Sequence, residues 1–179
     1  MLISLVGLPG VGKSTAGRRL ANHLGVDFID CDALIEQRLG EAISPWFVRE
    51  GEAAFRDLEE VVLLEAIGRA PSSGAVIATG GGVVLRESNR RLLRNRTVCV
   101  WLDAKPEMLF ERLSRGKKRP LLHVADPKGR LLELAKQRDP LYRETAAIVV
   151  PAGHSVGATF AAIERALRAN EGRASQSTP

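Results

Sequence analysis

The chain has 179 residues, 45% of them hydrophobic and 26% charged, a length and balance that suit one globular domain with its own core and exclude disordered and fibrous classes. A formal net charge of +5 fits an enzyme of anionic substrates as well as a nucleic-acid or membrane binder, so charge alone decides nothing. Cys31 and Cys99 lack metal-site spacing and read as free thiols of a reducing compartment, and no apolar run approaches the roughly 18 residues of a membrane span, so a cytoplasmic location is expected.

Met1 leads straight into the apolar run Leu2–Val6 without a basic n-region or cleavage site, which reads as a first strand and not a signal peptide. Lys13–Leu24 has helical spacing and stops at Gly25, a helix-ending glycine. Asp27–Asp30 is a second β-like run, and Asp32 stands as N-cap of a helix over 33–39 that ends at Gly40. Ser44-Pro45 has the cap and first-turn pattern of a short helix closing before Gly51. An amphipathic helix over 52–69 follows, with Phe55, Val62 and Ala66 on one side. Strands at 75–79, 97–102 and 147–150 then alternate with helices over 86–94, 106–113, 127–138 and 155–169. This alternation is the mark of an α/β domain, a parallel sheet with helices on both faces. The basic segment 115–123 matches neither period and reads as a mobile surface loop. Residues 170–179 are polar and Ser-rich, so a single domain over 1–169 with a disordered tail is expected.

Gly7-Leu8-Pro9-Gly10-Val11-Gly12-Lys13-Ser14 satisfies G-x-x-x-x-G-K-[ST] between a β-like run and a helical run. Glycines there let backbone N–H groups turn inward around phosphate oxygens at a helix N-terminus. Lys13 is placed for the β- and γ-phosphates and the Ser14 hydroxyl for Mg²⁺, so a nucleoside triphosphate, ATP, is the expected ligand. No N-K-x-D base-recognition element occurs, and Asp126-x-x-Gly129 is not at a strand end, which argues against a GTPase switch. A small-molecule kinase remains, with a nucleotide-binding regulatory module as the non-enzyme competitor.

Asp30 and Asp32 close the second strand, where open α/β sheets bind ligands, and a carboxylate there can orient a hydroxyl and take its proton. Asp32 as cap and Asp32 as base are compatible readings. Gly80-Gly81-Gly82 after the third strand admits close backbone approach to a ligand. Arg56 and Glu59, three apart, make a helix-surface ion pair, and Arg138 suits a helix C-terminus, although a guanidinium fork also holds a carboxylate well.

Taken together, Gly7 to Thr15, Asp30-Cys31-Asp32, Gly51-Glu52 with Phe55-Arg56, Gly80-Gly81-Gly82, Arg119-Pro120-Leu121-Leu122 and Arg138-Asp139-Pro140-Leu141-Tyr142 resemble the shikimate kinase family. The resemblance spans residues 2–150 and implies a three-layer α/β/α P-loop kinase fold, a five-stranded parallel sheet in the order 2-3-1-4-5, and a mobile lid at about 112–124. It also implies ATP-dependent phosphorylation of the 3-hydroxyl of shikimate with Mg²⁺; a monomer that binds neither nucleic acid nor membrane is expected. By the same resemblance Asp32 is the base, and Arg56 and Arg138 clamp the substrate carboxylate. Glu59 orients Arg56, Gly80, Gly81 and Gly82 contact the substrate hydroxyls, and Phe47 and Phe55 wall the pocket. Gly10, Val11, Gly12, Lys13, Ser14 and Thr15 hold the nucleotide, with Arg112 stacking on adenine and Arg119 closing over the phosphates; Asp30 holds water on the metal. A gluconate kinase is the neighbouring alternative within this fold. Pro151 departs from the family pattern, falling just after the last strand where a polar adenine-loop residue is expected, and Ala152-Gly153-His154 matches nothing in it.

Overall fold

The structure, a computed structural model, describes residues 1–114, 126–152 and 155–176. In chain order the elements are β1 (Leu2–Val6), α1 (Lys13–Leu24), β2 (Asp27–Asp30), α2 (Cys31–Leu39), α3 (Ile43–Gly68), β3 (Ala75–Ala78), a 3₁₀ turn (Val83–Leu85), α4 (Glu87–Arg96), β4 (Val98–Asp103), α5 (Pro106–Ser114), α6 (Pro127–Thr145), β5 (Ile148–Pro151) and α7 (Val156–Gln176). All four strand pairings are parallel, in the order β2-β3-β1-β4-β5. The central β1 and β3 are buried almost throughout, which is why their sequences run apolar without alternation. Helices cover both faces. Leu5 points at Gly17 of α1, whereas its neighbour Ser4 bonds Thr97, the residue closing α4, on the opposite side. Because every strand runs the same way, Gly7, Asp30, Thr79 and Gly80 emerge at one edge.

Six local readings change. Asp30 and not Asp32 caps α2, its carboxylate accepting from Asp32 N at 3.1 Å and Ala33 N at 3.5 Å, because β2 passes into α2 with no intervening loop. The third helix starts at Ile43, one residue before the expected cap Ser44, and the Ile43 N–H donates to Glu36 of α2 at 3.1 Å, so a side chain of α2 satisfies one of its free first-turn donors. It also runs through Gly51, where φ 87° and ψ 172° kink it into two arms, a backbone that suits glycine. The sixth helix continues past Pro140 to Thr145, since buried Tyr142 and Thr145 anchor its last turn and packing outweighs the missing proline donor. The last helix extends to Gln176 instead of stopping at Ala169, and Pro151 ends edge strand β5 opposite Asp103, where proline interrupts no inner ladder. Arg119 and most of the 112–124 lid lie outside the described residues, as do Gly153 and His154.

Candidate active site

The loop between β1 and α1 turns through Gly10 (φ 83°) and Gly12 (φ 99°), then presents the start of α1 to the space above the sheet. The buried ammonium of Lys13 donates to the carbonyls of Gly7 at 2.8 Å and Leu8 at 3.2 Å, which holds it coiled beneath the loop. Burial lowers its pKa to about 8, against the opposing pull of Asp32. Arg112 reaches the same loop from α5, donating to Val11 O at 3.3 Å. Val11 itself is buried in the core and offers the site only its backbone.

A cavity of about 570 Å³ opens beside this loop. Gly10, Gly12, Lys13, Ser14 and Thr15 line one end. Asp32, at the first turn of α2, lines it next to them. The kink at Gly51 brings both arms of α3 to the cavity, Phe47 from one and Phe55 from the other, with ring centroids 5.4 Å apart. Arg56, one turn behind Glu52, donates to Glu59 Oε2 at 2.5 Å and to Glu52 at 3.2 Å. Arg138 enters from α6 on the facing wall.

Gly80, Gly81 and Gly82 form the floor, and each is small for a reason found in its neighbours. A Cβ on Gly80 would lie 2.5 Å from Glu59 Oε1 and 3.1 Å from Asp32 Oδ1, one on Gly81 2.8 Å from Pro9, and one on Gly82 inside the Arg56 guanidinium. The triplet thus packs two carboxylates, a guanidinium and the phosphate loop against one stretch of backbone. Tyr142 ties it to α6, its hydroxyl donating to the Gly81 carbonyl.

The charges here are held dry. Burial pushes Asp32 above the usual carboxylate range, with Lys13 pulling the other way, and pushes Glu59 up likewise against Arg56. Burial lowers Arg138. Glu59 Oε1 and Arg138 Nε are buried without partners, which marks the cavity as one built around a polar ligand. Among the described residues no cluster of three or more His, Cys, Asp or Glu could hold a metal by itself. The oxygens near the loop, the Ser14 hydroxyl and the Asp30 carboxylate oxygen not engaged as cap, fit an ion that takes its remaining ligands from phosphate and water, as Mg²⁺ does.

Asp32, Lys13, Arg56, Glu59, Arg138, Phe47, Phe55 and the three glycines therefore share one cavity, together with Gly10, Gly12, Ser14 and Thr15. Asp30, Val11 and Arg112 sit at its margin and not among its lining residues. Pro9, Ile43, Thr79, Arg130 and Leu134 line it without having been singled out. Arg130, Leu134 and Arg138 are four apart on one helix face, a spacing that could have found them. Asp126, the start of the unused D-x-x-G, caps α6 by accepting from Gly129 N at 2.8 Å.

Residues 9–168 match the family model described as shikimate kinase. A shikimate kinase of Paracidovorax citrulli is 55% identical over 148 residues, 83% of this chain and 80% of that one. The solved structure of shikimate kinase from Acinetobacter baumannii in complex with shikimate superposes with a TM-score of 0.82 at 39% identity, over 99% of this chain and 94% of the other. A gluconokinase from Sinorhizobium meliloti superposes with a TM-score of 0.63 at 20% identity over 99% and 97%, a likeness of fold alone. The chain belongs to the shikimate kinase family.

Proposed function

We propose that the cavity carries out the family's reaction, transfer of the γ-phosphoryl group of ATP to the 3-hydroxyl of shikimate, with Asp32 as base and Arg56 and Arg138 as carboxylate clamp. The observation that carries this reading is the sharing of one cavity by Lys13, Asp32, Arg56 and Arg138. A phosphate cradle and an anion clamp on a common crevice are what an in-line transfer between two anionic substrates needs.

Lys13 lies coiled under the loop and has only to release two carbonyls to reach the β- and γ-oxygens of ATP. Ser14 and Asp30 would hold Mg²⁺, which would supply neutralisation of charge on the phosphates. Arg119, outside the described residues, shares that neutralising role by family resemblance. Asp32 is the carboxylate nearest the phosphate end. Its raised pKa makes it a better proton acceptor from the attacking hydroxyl than a solvated aspartate. Glu59 fixes Arg56 from behind, leaving the guanidinium to face the substrate carboxylate. Phe47 and Phe55 exclude water beside the ring.

The same reading makes the protein a cytoplasmic monomer that binds neither nucleic acid nor membrane. No described helix is long and apolar enough to cross a membrane. The basic cluster on α4 supports the absence of a nucleic-acid role, since Arg91 pairs with Glu87 and both Arg90 and Arg94 pair with Glu144.

Coupled ADP release with Mg·ATP and a panel of hydroxy acids tests the assignment. Turnover with shikimate and none with gluconate is expected. Turnover with gluconate would move the chain to the neighbouring activity, and binding of both ligands without turnover would make it a regulatory module.

A further inference from the structure

Tyr142 is fully buried on α6, four residues after Arg138 and so on the same helix face. Its ring stacks on Trp101 of β4, centroids 5.9 Å apart at 28°, which fixes where the hydroxyl points. That hydroxyl donates its one proton to the carbonyl of Gly81, the middle residue of the floor, and Arg138 lies one helical turn away on the same face.

We propose that Tyr142 is a positioning residue for the acceptor pocket, its hydroxyl relaying the placement of α6, and with it Arg138, to the Gly81 carbonyl so that the carboxylate clamp and the glycine floor move as one unit. This rests on the reading that the pocket takes shikimate. The relay explains how a buried guanidinium whose Nε has no partner is kept in one orientation before substrate arrives. It also explains why α6 continues past Pro140: without its last turn the hydroxyl could not reach the floor.

Tyr142→Phe keeps the ring and the stack on Trp101 and removes one oxygen. Steady-state ADP release is measured for the wild type, Tyr142→Phe, Arg138→Lys and the double variant. Tyr142→Phe is expected to raise the shikimate KM roughly tenfold while leaving the ATP KM and kcat within about threefold, the scale of one buried hydrogen bond. In the Arg138→Lys background the same change is expected to add less than about threefold, because the guanidinium whose placement the relay serves is already gone. Effects that multiply independently, a parallel rise in both KM values, or a Tyr142→Phe enzyme indistinguishable from wild type would overturn the proposal. A second readout needs no change at Tyr142. The chain has one tyrosine, so a Cζ-labelled sample gives a single assigned NMR resonance. That resonance is expected to shift when shikimate saturates the wild type and to be displaced already in Arg138→Gln; an unmoved resonance in both cases overturns the relay. A wild type that releases no ADP with shikimate would instead overturn the functional reading on which the relay rests.

Discussion

Replacing Gly80 with alanine tests the packing of the acceptor site with a single methyl group. Gly80 is not among the residues with positive φ, so its backbone accepts alanine and the added Cβ acts alone. That atom would sit 2.5 Å from Glu59 Oε1 and 3.1 Å from Asp32 Oδ1, and real Cβ contacts essentially never fall below 3.0 Å. Glu59 must therefore retreat by about half an ångström, and it cannot do so freely because its other oxygen is bonded to Arg56 at 2.5 Å. Overpacking of this kind costs about 1–3 kcal/mol, and displacement of a positioned group by ~1 Å can cost roughly 10²-fold in rate. We expect the shikimate kcat/KM to fall about 10- to 100-fold, with ATP affinity, measured by calorimetry, changed less than about twofold. Unaltered kinetics with an unaltered melting temperature would refute the close packing of floor, base and clamp.

Asp32→Asn is expected to lower kcat roughly 10²- to 10⁴-fold while ATP still binds. It should also raise the melting temperature of the free protein at neutral pH. An acid whose pKa is raised on folding binds more protons folded than unfolded, so stability falls as pH climbs through that window, and asparagine removes the penalty; a lower melting temperature would contradict this. Burial holds Lys13 at about 8 in the free protein and a triphosphate restores its charge, so ATP affinity should fall by up to about tenfold per pH unit above that value. Binding there should take up a proton, read by calorimetry in buffers of different ionisation enthalpy. Over the same window the free protein should gain stability with rising pH, because the unfolded chain holds the proton longer. Arg56→Gln strands Glu59, which is only 2% exposed, and breaking a buried pair from one side costs about 3–5 kcal/mol. Adding Glu59→Gln should recover part of that loss in a thermal melt.

What could be read from the residues was whatever depends on near neighbours in the chain. The phosphate loop needs its glycines, Lys13 and Ser14 at fixed spacing between a strand and a helix, and the strand alternation needs only local periodicity, so both were legible. Arg56 and Arg138 carried no local signal above an ion pair or a helix end, and only the resemblance drew them out. The misread points turn on how elements join and pack on one another. Asp30 is the cap because β2 runs directly into α2, Ile43 finds its acceptor on Glu36, and α6 passes Pro140 because Tyr142 is seated against Trp101. Ending that helix at Arg138 also hid the turn that carries Tyr142.

The central claim is that cradle and clamp face each other closely enough for a shikimate hydroxyl to meet phosphorus. Phosphorus NMR of the reaction with Mg·ATP and shikimate tests it most directly. A phosphomonoester resonance coupled to the proton on C3 of the ring, growing in step with ADP, is the expected result. ADP accompanied only by inorganic phosphate, at a rate indifferent to shikimate, would contradict it.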